Sequence, residues 1–324
     1  MFGKINRQGS LLLTDITKIS TRELYAYFAD DNWNRYGEAD RLQLLQEVEN
    51  RRAKIDGRPP IPILARRLFP NTAGGYGVWK DDGKFIKAIG LNSLFFTDAK
   101  PDLFSGKRGF NFHVGIQALE TVLHEGRHAY QDYVIYNSPD RIAKQVLYEW
   151  LSSDAYYFRS SEPLAGNLAG KEFLLYTLQS IEMDARRFAR RQLIEIHDLF
   201  AAQGKDTRRI VSIIQHCRQR EIELIDKVRE NLDEDSIREA EQIVLDKLKK
   251  TRPDIDTSNL KLFDNARLIL SLFKTMPDLS YDDIIDRLDR ISDAKIDGLP
   301  DAEIVKIAEG RDRIRDTYSR LDRI

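Results

Sequence analysis

Apolar positions recur every three to four residues over most of the chain and at alternate residues over one short stretch, a pattern that predicts a largely helical protein with a little sheet. Residues 20–50 read as two helices. Ser20 and Glu23 have the spacing of a capping box at the start of "STRELYAYF", and "EADRLQLLQEVENRRAKI" keeps its aliphatic residues at helical intervals. The prolines of "DGRPPIPIL" then remove amide donors and stop the helix. Between Gly74 and Phe96 the period shortens, and "YGVWKDDGKFIKAIGL" predicts a β-hairpin turning at Asp82-Gly83.

A loop rich in Gly, Pro and Asp follows at 97–112, and helical period returns over 114–134. There Ile116, Leu119, Leu123, Gly126 and Tyr130 share one stripe. Gln117, Glu120, Thr121, His124, His128 and Gln131 form a polar stripe beside it. Residues 141–151 predict a further helix, 152–170 an irregular connection with an aromatic cluster, and 171–202 one strong helix. Residues 207–324 predict four or five charged amphipathic helices broken at "DEDS", "RPDIDTS", "MPDLS" and "DGLPD", with Asp or Ser as N-caps. The expected fold class is α+β, predominantly α. Residues 1–202 carry the small sheet, and residues 203–324 form an all-α module suited to packing or to contact with a protein partner.

Composition narrows the function. The 51 basic and 52 acidic side chains nearly cancel and are mixed along the chain, which gives no basis for nucleic acid or an anionic membrane as partner. Cys217 is the single cysteine, so an internal disulfide and a thiolate metal cluster are both excluded, and any metal must be held by His and carboxylate. The start "MFGKINRQGSLLLTDI" lacks the apolar core of a signal peptide, and no window approaches the roughly 20 apolar residues of a membrane span. The expectation is a cytoplasmic protein, with signal-independent export left open.

The candidate chemistry lies in "VLHEGRHAYQ", residues 122–131. Helix positions four apart stack one turn above the other, so His124 and His128 can aim at one Zn²⁺, while Glu125, rotated by about 100°, can serve as the general base. With five histidines in the chain, a chance match to H-E-x-x-H has a probability of only about 0.5%. Gly126 lowers helix propensity, which points to close approach of another backbone, with the hairpin sheet as candidate.

A catalytic zinc takes three protein ligands. No histidine follows before His197, so the third is sought among carboxylates, and Glu182 in "YTLQSIEMDARRFARRQL" interrupts an otherwise apolar or small face. Asp184 is the alternative ligand, ahead of Glu149, Asp154 and Glu162. Second-shell carboxylates to orient the imidazoles are Glu120, one turn before His124, and Asp184. For the oxyanion the candidate donor is Tyr176, ahead of Tyr156 and Tyr157. His113, His197 and His216 carry no pattern. The strand near 84–91 can pair with an extended peptide.

"LHEGRHAYQ" followed by "YTLQSIEMDARRFA" resembles the zincin-like metallopeptidase domains of bacterial toxins, phage proteins and mobile-element proteins, and "AIGLNSLFF" resembles their active-site edge segment. The resemblance covers about residues 70–195. It implies a gluzincin-type Zn²⁺ site with His124, His128 and Glu182 as ligands and Glu125 as base, acting on a protein or peptide substrate. Arg186 stands where thermolysin-like gluzincins have an Asp, which sets this chain apart from that branch. Arg127, charged where metallopeptidases are generally uncharged, must point outward, or the site is unusual. Two other readings are kept: a zinc-binding scaffold or interaction protein of a mobile element or secretion system, and a delivered proteolytic toxin.

Overall fold

The computed structural model describes residues 16–69, 72–96, 115–160, 163–257, 260 and 262–308. The loop at 97–112, His113 and Glu162 lie outside these. The chain is predominantly helical with one small sheet, as the periodicity predicts. It divides into two compact units, one from the described parts of Met1–Asp132 and Ala185–Cys217, the other from those of Tyr133–Asp184 and Arg218–Ile324. Each unit draws on two separate stretches of chain.

The first unit opens with α1 (Thr21–Ala26), α2 (Asp30–Trp33) and α3 (Glu38–Asp56), three helices where two are expected. The capping box is present: the Ser20 hydroxyl accepts from the Glu23 N–H at 3.2 Å, and the Glu23 carboxylate accepts from the Ser20 N–H at 2.7 Å. After the prolines comes β1 (Ile63–Arg66), a strand the pattern does not announce. The hairpin consists of β2 (Gly74–Asp81) and β3 (Lys84–Asn92). Strand order is β1-β3-β2, with β1 parallel and β2 antiparallel to β3. The expected peptide-pairing strand, 84–91, is therefore central and paired on both sides. Among the described residues the outer strands are β1 and β2.

At the hairpin turn Asp82 and Gly83 both have left-handed φ, 44° and 79°. Glycine meets that requirement without the Cβ penalty of about 1–2 kcal/mol. Gly83→Ala is expected to destabilise the protein by an amount in this range, read from urea unfolding; an unchanged midpoint would show that the turn does not limit stability.

Helices α4 (Gly115–Asn137) and α7 (Ser180–Ala201) carry the candidate site. In α4 the predicted stripe of Ile116, Leu119 and Leu123 is buried; in α7 Ala185, Ala189, Leu193 and Ile196 are buried. The hairpin is tied to α4 through Asp132, which accepts from the Tyr76 hydroxyl at 2.9 Å and from Lys87 Nζ at 2.8 Å.

The second unit contains α5 (Lys144–Ala155), α6 (Glu172–Leu178), the later part of α8 (Arg208–Asn231), α9 (Glu234–Thr251), α10 (Asp264–Thr275), α11 (Tyr281–Ile296) and α12 (Asp301–Ala308). Asp233 and Ser280 cap α9 and α11, accepting from the N–H groups of Ser236 and Asp283. One apolar core joins Phe158, Leu175 and Leu178 to Ile225, Val244, Ile269 and Leu288. Sharing this core is why residues before 184 cluster with the C-terminal helices.

The single helix expected at 171–202 is two. Gln179, with ψ of 137°, separates α6 from α7, and its carboxamide explains the break. The side-chain oxygen accepts from the Phe158 N–H at 3.0 Å, while the amide nitrogen donates to the carbonyls of Phe158 and Tyr176, each at 3.1 Å. Tertiary hydrogen bonds thus override a locally continuous helical sequence.

Candidate metal centre

His124 and His128 lie one turn apart on α4, both half-buried, with ring centroids 4.8 Å apart and planes at 84°. Their Nε2 atoms are 3.2 Å from each other. Gln131 fixes the second ring: its Oε1 lies 2.8 Å from His128 Nδ1. An amide oxygen only accepts, so the proton of His128 belongs on Nδ1 and the lone pair on Nε2. The polar stripe contains Gln131, but the sequence reading assigns it no role; its i+3 spacing from His128 is the signal that could have found it.

Glu182 is 1% exposed, and its carboxylate completes the group: donor atoms of His124, His128 and Glu182 all lie within 4.8 Å of one another. The break at Gln179 puts Glu182 in the first turn of α7, where the unsatisfied amides of a helix start favour a carboxylate. Asp184 is buried and does not join this group. Glu149 is committed elsewhere, with Lys295 Nζ 3.4 Å away and Gln145 donating at 3.3 Å. Burial pushes its carboxyl above the ordinary carboxylate range. Asp154 accepts from the Tyr136 hydroxyl.

Glu125 stands apart from the three. Its Oε2 accepts the backbone N–H of Tyr76 on β2 at 2.8 Å, and the residue is 8% exposed. A backbone amide of the outer strand β2 therefore holds the carboxylate of the H-E pair. Glu120, expected beside His124, accepts from Gln117 Nε2 at 2.9 Å.

The tyrosine that touches the carboxylate of Glu182 is Tyr157, whose hydroxyl donates to Oε1. Burial, followed by the adjacent Glu182 carboxylate, raises the pKa of the phenol and keeps it a proton donor. Tyr176, preferred from the sequence, packs its ring edge-on to Tyr157 with centroids 5.7 Å apart. No periodicity links Tyr157 to Glu182, so the sequence carries no signal for the contact.

Two readings are corrected. The neighbour of Gly126 is an ion pair and not the backbone of the sheet: a Cβ there would lie 3.1 Å from Glu49 Oε2 and 3.7 Å from Arg58 Nη2. Arg58 donates to both oxygens of Glu49, at 2.6 and 3.0 Å, and to the Gly126 carbonyl at 3.2 Å. Arg127, expected to point outward, is half-buried and stacks on the rings of Tyr130 and Phe188 at 4.6 and 5.1 Å. A planar guanidinium can be packed against aromatic faces without losing its charge.

Chemically, two neutral imidazoles and one carboxylate match the three-ligand set of a catalytic zinc site. Tetrahedral coordination at ordinary Zn–N lengths sets neighbouring nitrogens about 3.3 Å apart, close to the 3.2 Å found between the two Nε2 atoms. The residues fit the ion. Comparison of the chain with family models, curated proteins and solved structures returns no match.

Proposed function

We propose that this protein is a zinc-dependent metallopeptidase of the zincin-like, gluzincin kind, hydrolysing a peptide bond in a protein or peptide substrate. The observation that carries the reading is the convergence of His124, His128 and Glu182 from separate helices, with Glu125 next to the first ligand yet outside the ligand group. When bound, the ion supplies Lewis acidity and lowers the pKa of a coordinated water.

The chain's own residues do the rest. Gln131 holds His128 in the tautomer that presents Nε2. Glu125 takes the proton from the attacking water and later delivers it to the leaving amine. Its Oε2 accepts from the Tyr76 amide, which seats the carboxylate. Among the described residues β2 is an outer strand of the sheet, and an extended peptide pairing along it would lie beside this carboxylate. Among the described residues no helix is long and apolar enough to cross a membrane.

Elemental analysis tests the reading. Purified protein is expected to hold about one zinc per chain, the count for a three-ligand catalytic site, and His128→Ala and Glu182→Ala are both expected to lose it on passage over a chelating resin. Retention of zinc by both variants would remove the site.

A further inference from the structure

We infer that Tyr157 is the positioning residue for the Glu182 carboxylate, holding it in the orientation that meets the two imidazoles. The inference rests on the metallopeptidase reading and adds a residue that neither the motif nor helical spacing assigns. The contact is the hydroxyl of Tyr157 donating to Glu182 Oε1. A glutamate has three rotatable bonds, so burial alone does not fix where its oxygens point. A directed hydrogen bond does.

The local structure is built to hold that hydroxyl in place. Phe158, the next residue, has both its N–H and its C=O bonded to the side chain of Gln179, at 3.0 and 3.1 Å. This closes a two-bond ring equivalent to one rung of a sheet. Gln179 in turn caps α7, its carbonyl accepting from the Glu182 N–H at 3.0 Å. One residue therefore registers the tyrosine segment against the backbone of the very residue whose side chain Tyr157 contacts. The Phe158 ring is 2% exposed in the core of the second unit, and Tyr176 lies edge-on to Tyr157. Tyr157 is thus anchored from two directions although 39% exposed.

The donor type also suits the task. A lysine or arginine at this place would neutralise the carboxylate and compete with a cation. A phenol takes one lone pair, leaves the negative charge in place, and leaves the other oxygen for coordination.

The test is zinc affinity, measured by competition with a chromophoric chelator, together with the visible spectrum of the Co²⁺-substituted protein. Tyr157→Phe keeps the ring and removes only the hydroxyl; about a 10-fold weaker zinc affinity is expected, the lower end for loss of a group supporting a ligand. The cobalt bands should shift, a change in ligand geometry that a loss of overall stability alone does not produce. In a Glu182→Ala background the same change should add nothing, because its route of action is gone. Gln179→Ala, with Tyr157 intact, should weaken zinc in the same direction. Wild-type affinity and an unaltered cobalt spectrum in Tyr157→Phe would overturn the inference while leaving the zinc site standing, as would an equal loss in both backgrounds. A wild-type protein that binds no zinc would overturn the metallopeptidase reading and this inference with it.

Discussion

Glu125→Gln is expected to retain about one zinc per chain and to lower peptide hydrolysis by about 10²- to 10⁴-fold, the usual contribution of a positioned general base. The side chains of His124, His128 and Glu182 are untouched by the change. Glutamine also preserves the contact that seats this residue, because its carbonyl can accept the Tyr76 N–H as Oε2 now does at 2.8 Å. What disappears is the ability to take a proton. Mass-spectrometric scoring of a peptide library, beside elemental analysis of the same preparations, reads both halves of the expectation. Cleavage at the wild-type rate would remove Glu125 from the role of base, and loss of the metal would make it a ligand instead.

Local chemistry was legible in the sequence wherever neighbours in the chain decide the outcome. The Ser20/Glu23 capping box, the left-handed Asp82-Gly83 turn and the caps Asp233 and Ser280 each depend on residues at most three apart. The two histidines belong to the same class, since helix geometry alone stacks positions four apart. Features decided by distant partners were not legible. Strand β1 is short and follows prolines, and its identity comes from pairing Ile63 with Ile89. Gln179 breaks a helical sequence because its amide is taken by Phe158. A glycine in a helix suggests a neighbouring backbone, whereas at Gly126 the neighbour is the buried Glu49–Arg58 ion pair, brought there from elsewhere in the chain.

That ion pair sets the second large expectation: Arg58→Ala should destabilise the first unit by about 3–5 kcal/mol, the cost of leaving a buried charge without its partner. Both side chains are 1% exposed. Burial opposes the guanidinium's charge, but the Glu49 carboxylate outweighs it and holds the Arg58 pKa above its ordinary value. The same two residues satisfy backbone groups from two other places: Arg58 donates to the Gly126 carbonyl, and Glu49 accepts from the Ile61 N–H at 3.0 Å. Removing the arginine therefore leaves the Glu49 carboxylate buried without its countercharge, while the Gly126 carbonyl loses only the bond it accepts beyond its own helix. Urea unfolding followed by far-ultraviolet circular dichroism measures the loss. Replacing both partners together, Glu49→Leu with Arg58→Met, should cost less than Arg58→Ala alone. A loss below about 1 kcal/mol for Arg58→Ala would place the pair among ordinary surface contacts.

The order β1-β3-β2 also dictates when each strand can arrive. Asp81 meets Lys84 across a two-residue turn, whereas Ile63 meets Ile89 only after the whole hairpin has been bridged. Closing the longer loop costs more chain entropy, so the hairpin zips first, on a timescale of about 1–10 μs, and β1 docks afterwards. During that interval one flank of β3, bearing Ile89 and Leu91, is a bare template to which a second chain can add. Refolding from dense solution is therefore the moment at which intermolecular strand capture competes with the intramolecular partner.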